Sequence, residues 1–411
     1  MAKKQKKAIP KPAPTKHQLS KWQRQMRIRR VVIIAAAVFL ASILSWVGYG
    51  YYKDVVEPWR EVVIEVNGVP FTMEYYVKML DGSTAFIDKA TLLVQGDIIA
   101  NEIADHIIRT ELLTQKAKNL SIVVSPAEID ARLKEAEMPD SEAFRDIIRA
   151  ALLQEKIEGY FGSQLPDRME QAHVQVMLVE SQEVATGLIA EINAGGNFTT
   201  LAEEFSCNSS IEGDLGWLPK ELMPNTLIAD AAFNLTPGKI SQPIYDETAI
   251  KNIGYWLIEV TDKQDEEIKA RAILLGSEAE AERVKAELVS GNFSSLAMEY
   301  SQHESKTKGG ELDWLKLGDM GSNAFDKVAF NITANEVSEP VKDESVQTVG
   351  GYWLVRVIDK GVHELEEKVK ERLIDKHFND WFEEWNKNST IENRLDEEKK
   401  TWAVTKVLER R

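Results

Sequence analysis

The sequence predicts an α+β protein: a mostly helical N-terminal region, two tandem copies of one α+β domain, and a helical C-terminal segment. Two observations carry this. First, the chain repeats itself. Asn197-Phe198-Thr199-Thr200-Leu201-Ala202 returns as Asn292-Phe293-Ser294-Ser295-Leu296-Ala297, and Gly213-Asp214-Leu215-Gly216-Trp217 returns as Gly310-Glu311-Leu312-Asp313-Trp314. Ala232-Phe233-Asn234 returns as Ala329-Phe330-Asn331, and Gly254-Tyr255-Trp256-Leu257 as Gly351-Tyr352-Trp353-Leu354. The offsets are 95, 97, 97 and 97 residues, a normal size for an independent domain. Second, each copy runs from a short β-favouring stretch through helical patterns to further β-favouring stretches.

The elements follow in order. Residues 1–30 hold eleven Lys/Arg and no acidic residue, and residues 31–50 hold no charge at all. Twenty helical residues span about 30 Å, the thickness of a hydrocarbon core. The pattern predicts a transmembrane anchor at 31–50 behind a basic cytoplasmic tail at 1–30, with the bulk of the chain outside. The tail also meets anionic headgroups. Trp46, Tyr49, Tyr51 and Tyr52 suit an interfacial belt. A cleaved signal peptide is the alternative, although both the basic and the apolar stretches are long for one. Residues 51–60 make a short stalk.

Residues 51–165 form the next domain. Val62–Val66, Asn67-Gly68 and Val69-Pro70-Phe71 predict a hairpin with a tight turn, and a helix starts near Thr72. Ile99, Ile103, Ile107, Leu112 and Leu113 predict a partly buried helix over 98–118. Ser125-Pro126-Ala127-Glu128 is a capping-box helix start, and Phe144, Ile147, Ile148, Ala151 and Leu152 mark a further amphipathic helix.

The two copies are expected at 166–263 and 264–361. Residues 174–179 and 270–275 predict buried strands, and Ser277 with Glu280 starts a helix. Gly195-Gly196 and Gly291 stop helices. A second strand begins at Pro243-Ile244 and at Pro340-Val341, and 255–260 and 352–358 are expected to close each copy. Residues 262–267 form a polar linker. Residues 362–411 are helical, with Phe378, Trp381, Phe382 and Trp385 in one stripe. The stripe is expected to pack on the N-terminal helices; client binding is the alternative.

Charge and composition exclude several classes. Beyond residue 30, 39 basic residues face 66 acidic ones, a balance of −27. So acidic an exterior argues against nucleic-acid binding and would keep a handler of sticky, unfolded chains soluble. Cys207 is the sole cysteine, so no intrachain disulfide or thiolate cluster can form. The six histidines show no metal-ligand spacing, and neither a nucleophile elbow nor a phosphate-cradling loop occurs. No cofactor and no metal are expected.

Across both copies run Phe-x-x-Leu-Ala-x-x-x-Ser, Gly-(Asp/Glu)-Leu-x-Trp-Leu, Ala-Phe-Asn, (Ile/Val)-Ser-x-Pro and Gly-Tyr. This combined pattern resembles parvulin-type (PpiC/rotamase) peptidyl-prolyl isomerases. The segment 66–72, with 111–118 and 125–128, resembles the chaperone domain that precedes parvulin domains in SurA- and PrsA-like foldases. The resemblance covers about residues 60–385. It implies an extracytoplasmic protein acting on unfolded or newly exported clients.

Prolyl isomerisation faces a barrier of about 18–20 kcal/mol and needs no nucleophile. In the family it takes two histidines on adjacent strands, a Cys or Asp, and a Met/Phe proline pocket. Carried onto this chain, the first-strand histidine positions are Val176 and Ala272. The Gly-Tyr-His positions are Trp256 and Trp353, and the Cys/Asp positions are Asn208 and His303. Pocket positions are Met223 with Ile228, and Met320 with Phe325. The methionines suit core filling as well as pocket walls. Both copies also carry about five extra residues between Pro243 or Pro340 and the Gly-Tyr. The expectation is Val176 paired with Trp256 and Ala272 with Trp353, as apolar walls that bind proline without turning it over. Asn208 and His303 are the only catalytic candidates. An active isomerase and a purely structural spacer are the alternatives.

Overall fold

The computed structural model describes residues 16–208 and 213–410, without the side chains at 16–25, 27–28, 31–33 and 35–37. The chain opens with α1 (Lys16–Tyr51), a π-helical turn at Tyr52–Val56, and α2 (Glu57–Arg60), so the expected stalk is helical. Among the described residues no helix is long and apolar enough to cross a membrane. Six side chains of the anchor expected at 31–50, and residues 1–15 of the basic tail, lie outside what is described.

β1 (Val62–Val66) and β2 (Val69–Thr72) form the expected hairpin. Asn67 (φ 50°) and Gly68 (φ 83°) take the left-handed pair that a type I′ turn requires. Thr72 caps α3 (Met73–Ser83), and Asp88 caps α4 (Lys89–Asn119). The capping box of Ser125 and Glu128 starts α5 (Pro126–Glu135), and α6 (Glu142–Gln164) follows. Next come β3 (Arg168–Val179), α7 (Gln182–Asn193), α8 (Phe198–Phe205), β4 (Gly213–Pro219), α9 (Thr226–Asn234) and β5 (Ile244–Lys251). The second copy supplies β6 (Gly254–Gln264), β7 (Glu267–Leu275), α10 (Glu278–Leu288), α11 (Phe293–Tyr300), β8 (Glu311–Leu315), α12 (Asn323–Ala329) and β9 (Val341–Asp343). The chain ends with β10 (Thr348–Glu364), α13 (Glu367–Lys387), β11 (Ile391–Asn393) and α14 (Glu397–Arg410).

These elements make two compact units. One holds the described residues up to Tyr160 together with those from Phe378 onward. Its small sheet has the order β11-β1-β2, with Val66 opposite Ile391. Tyr76, Leu80, Leu92, Ile107 and Val407 are fully buried in its core. Gly96 on α4 lets α14 close in, since a Cβ there would lie 2.9 Å from a Val404 methyl. Phe378 is buried, and Phe382 and Trp385 pack on this core. The Arg109 guanidinium lies 4.8 Å from the Phe382 ring centre, and the Lys116 ammonium 4.4 Å from that of Trp385. The C-terminal segment is therefore more than one helix: a three-residue strand and a second helix complete this unit.

The other unit, Phe161–His377, contains two four-stranded antiparallel sheets ordered β4-β3-β10-β5 and β8-β7-β6-β9. Each sheet takes its closing strand from the other copy. β10 lies between β3 and β5, with Val355 opposite Val176 and Trp353 opposite Ile244. β6 lies between β7 and β9, with Ile258 opposite Ala272 and Trp256 opposite Val341. The strands at 255–260 and 352–358 thus do not close their own copies. The expected linker at 262–267 is a hairpin, since Gln264 pairs with Glu267 around a turn with Asp265 at φ 52°. The boundary between 263 and 264 therefore falls inside a sheet. Module one is β3, β4, β5 and β10 with α7, α8 and α9; module two is β6–β9 with α10, α11 and α12.

The extra residues explain the exchange. Ten residues separate Pro243 from Gly254, and ten separate Pro340 from Gly351. In extended form they reach about 33 Å, enough to carry the chain past its own sheet. Between β5 and β6 only Asn252 and Ile253 intervene, too few to turn the chain back across an intervening strand.

Candidate functional site

The exchange re-sorts the candidate residues. Trp353, not Trp256, joins Val176, Met223 and Ile228 in module one. Trp256, not Trp353, joins Ala272, Phe325 and Met320 in module two. The expected pairings of Val176 with Trp256 and of Ala272 with Trp353 are corrected accordingly. Val176, Ile228, Ala272 and Phe325 have no exposed surface, both tryptophans are 2% exposed, and Met223 is 7% exposed. Met320 alone among the eight apolar candidates is half-buried.

A buried indole N–H needs an acceptor. Trp353 Nε1 donates to Asp246 Oδ2 at 2.9 Å, and Trp256 Nε1 donates to Asp343 Oδ2 at 2.9 Å. Each aspartate is held on both oxygens. Asp246 Oδ1 accepts from the backbone N–H and hydroxyl of Thr248 at 2.9 and 2.8 Å. Asp343 Oδ1 accepts from the backbone N–H and hydroxyl of Ser345 at 2.9 and 2.6 Å. The Ser322 hydroxyl, which caps α12, donates to Asp343 Oδ2 at 2.5 Å. Burial opposes the charge on each carboxylate, but these donors outweigh it and hold both below the usual 3.8. Both aspartates lie in the extra residues, and sequence reasoning missed them. Their signal was there: Asp246-Glu247-Thr248 returns as Asp343-Glu344-Ser345.

His303 lies 5.3 Å, edge-on, from Trp256. Its Nδ1 accepts the Ser305 backbone N–H at 3.2 Å, which leaves the proton of the neutral ring on Nε2. Burial lowers its pKa below 6.5, partly offset by Glu304. His303, Leu312, Leu315 and Met320 line a cleft of about 570 Å³ rimmed by Lys308, Glu304, Glu311, Asp313 and Asp319. Asn208 in module one instead donates from Nδ2 to the Ile250 carbonyl at 3.1 Å, which ties its loop to β5. Burial, with a contribution from Glu180, pushes the neighbouring Cys207 thiol up to about 11, so it stays protonated at neutral pH. Among the described residues no group of three or more His, Cys, Asp or Glu is placed to hold a metal ion.

The PPIC-type PPIase domain matches twice, at residues 175–262 and 257–359, and the SurA-like N-terminal domain matches at 19–158. The chain belongs to the parvulin family. This parvulin is similar to the chaperone SurA of Dechloromonas aromatica, at 27% identity over 71% of this chain and 68% of that protein. It is also similar to the foldase protein PrsA of Caldanaerobacter subterraneus subsp. tengcongensis, at 24% identity over 59% of this chain and 86% of that protein. Against the crystal structure of PrsA from Bacillus subtilis the TM-score is 0.21, at 14% identity, covering 85% of this chain and 93% of that one. The parvulin domain matches are continuous in sequence, yet module one is assembled from two separated segments, with module two a single run inserted between them.

Proposed function

We propose that this parvulin is a membrane-anchored, extracytoplasmic chaperone-foldase that holds unfolded client chains, with modules that bind proline segments better than they isomerise them. The single observation behind this is the fate of the four histidine positions. Val176 and Ala272 offer no polar group, and the tryptophan N–H groups are already engaged by Asp246 and Asp343. No donor remains there to favour a twisted amide over a planar one, and only such selective stabilisation lowers the barrier. The SurA and PrsA relatives support the chaperone part, and the uncharged stretch at 31–50 behind eleven basic residues supports the anchor.

One observation favours a second reading, an isomerase in module two: His303 and Met320 share an open cleft. The full chain should suppress aggregation of a reduced, unfolded client while leaving cis/trans exchange of a proline peptide at its spontaneous rate. Exchange accelerated by the wild type and abolished by His303→Gln would establish the second reading. Failure to suppress aggregation at stoichiometric ratio would remove the first.

A further inference from the structure

Two continuous strand pairs cross between the modules. One, 244–264, supplies Asp246 to module one and Trp256 to module two. The other, 341–364, supplies Asp343 to module two and Trp353 to module one. Each Trp–Asp hydrogen bond therefore ties one crossing strand to the other, once in each module. A third tie lies at the crossover itself. Lys251 is 1% exposed, and its ammonium donates to the Gly276 carbonyl of module two and to the Glu180 carbonyl of module one at 3.5 Å.

Neither crossing strand can shift in one module alone. Asp246 and Trp256 are ten residues apart on backbone that is paired on both sides of Asn252-Ile253. Releasing Trp353 from Asp246 would remove a side-chain tie between β5 and β10 while their backbone pairing remains, and any shift of β5 would pass along the continuous chain to β6, which carries Trp256. Trp256 in turn backs His303, at the wall of the module-two cleft.

We propose that the exchanged strands make the two modules one coupled binding unit, in which Asp246 of module one is a positioning residue for the His303 cleft of module two. This deepens the function proposed above and rests on the cleft taking proline segments.

The experiment uses the full chain. Asp246→Asn keeps the side-chain shape but sets an NH2 against donors. The readouts are the ring-proton NMR shifts of His303, assigned by loss in His303→Gln, and calorimetric affinity for the peptide Ala-Leu-Pro-Phe. His303 lies against Trp256, so its ring protons report where that indole sits. Leu201→Ala on α8 is the control, because α8 packs chiefly on β3 and β4, so the change weakens module one without removing a tie between the crossing strands.

The expected result is a moved His303 signal and roughly fivefold or more weaker peptide binding in Asp246→Asn, with neither change in Leu201→Ala. An unmoved His303 signal, or equal movement in the control, would overturn the coupling. Should Asp246→Asn fail to fold, Trp353→Phe removes the donor together with part of the ring and is read against the same control. Absence of peptide binding in the wild type would sink the proline-segment reading alone, because the NMR arm still decides the coupling.

Discussion

Asp343→Asn is the sharpest perturbation of module two. The carboxylate is 3% exposed and accepts four hydrogen bonds, two on each oxygen. An amide of the same shape has one acceptor and one donor end. The hydroxyls of Ser322 and Ser345 can rotate to accept from the new NH2. The Trp256 N–H and the Ser345 backbone N–H cannot, and they lie on opposite oxygens. One fixed donor is therefore orphaned whichever way the amide turns. A buried unsatisfied donor costs about 1–3 kcal/mol, and replacing a charged acceptor by a neutral one for the remaining bonds adds about 1 kcal/mol. The expected loss is about 2–4 kcal/mol, or about 4–16 °C in Tm for a unit of this size. Urea titration of the full chain, followed by tryptophan fluorescence, measures it. The exchange also requires that both modules lose stability in one transition. A loss under about 0.5 kcal/mol, the range of neutral surface changes, would refute the reasoning. So would a melt in which module two unfolds early while module one is untouched.

Other outcomes follow from the same geometry. Asp246 and Asp343 titrate below 3.8 in the folded chain, so their contribution is complete above that value and is lost as pH falls through their folded pKa values; an acid melt should show unit Phe161–His377 weakening below about pH 4. Gly96→Val drives new methyls into Val404 and should cost the first unit about 1–3 kcal/mol, read as faster amide exchange in α4 and α14. Truncation after His377 removes β11, α14 and the buried Phe378, and should leave residues 62–158 sensitive to protease; an unchanged digestion pattern would contradict the assigned core.

What the sequence made legible was mostly local. The hairpin at Asn67-Gly68, the caps at Thr72 and Ser125, and the helices of the first unit follow from side-chain chemistry within a few residues. The repeat offset correctly announced two related α+β modules. The exchange was hidden because the two closing strands are near-identical. Gly254-Tyr255-Trp256-Leu257 and Gly351-Tyr352-Trp353-Leu354 fit either sheet, so pairing preference could not separate them. The informative signal was length, in the ten residues after Pro243 and after Pro340. The same extra residues hid the aspartates: at the histidine positions a tryptophan reads as a stacking wall until its buried N–H partner is found. The strand at Ile391–Asn393 was missed because three residues carry no periodicity.

Engineered disulfides test the exchange of closing strands. In a Cys207→Ser background, Gln175→Cys with Arg356→Cys joins residues that are register partners between β3 and β10. Gln175→Cys with Glu259→Cys would join β3 to the strand of its own copy, whereas Glu259 here pairs with Arg271 across β6 and β7, its Oε2 accepting from Arg271 Nε at 2.5 Å. With the strands exchanged, the first pair oxidises to an intrachain disulfide in the native protein while the second remains as thiols. Oxidation of the second pair and not the first would mean that each copy closes on its own strand, and the exchange would be wrong.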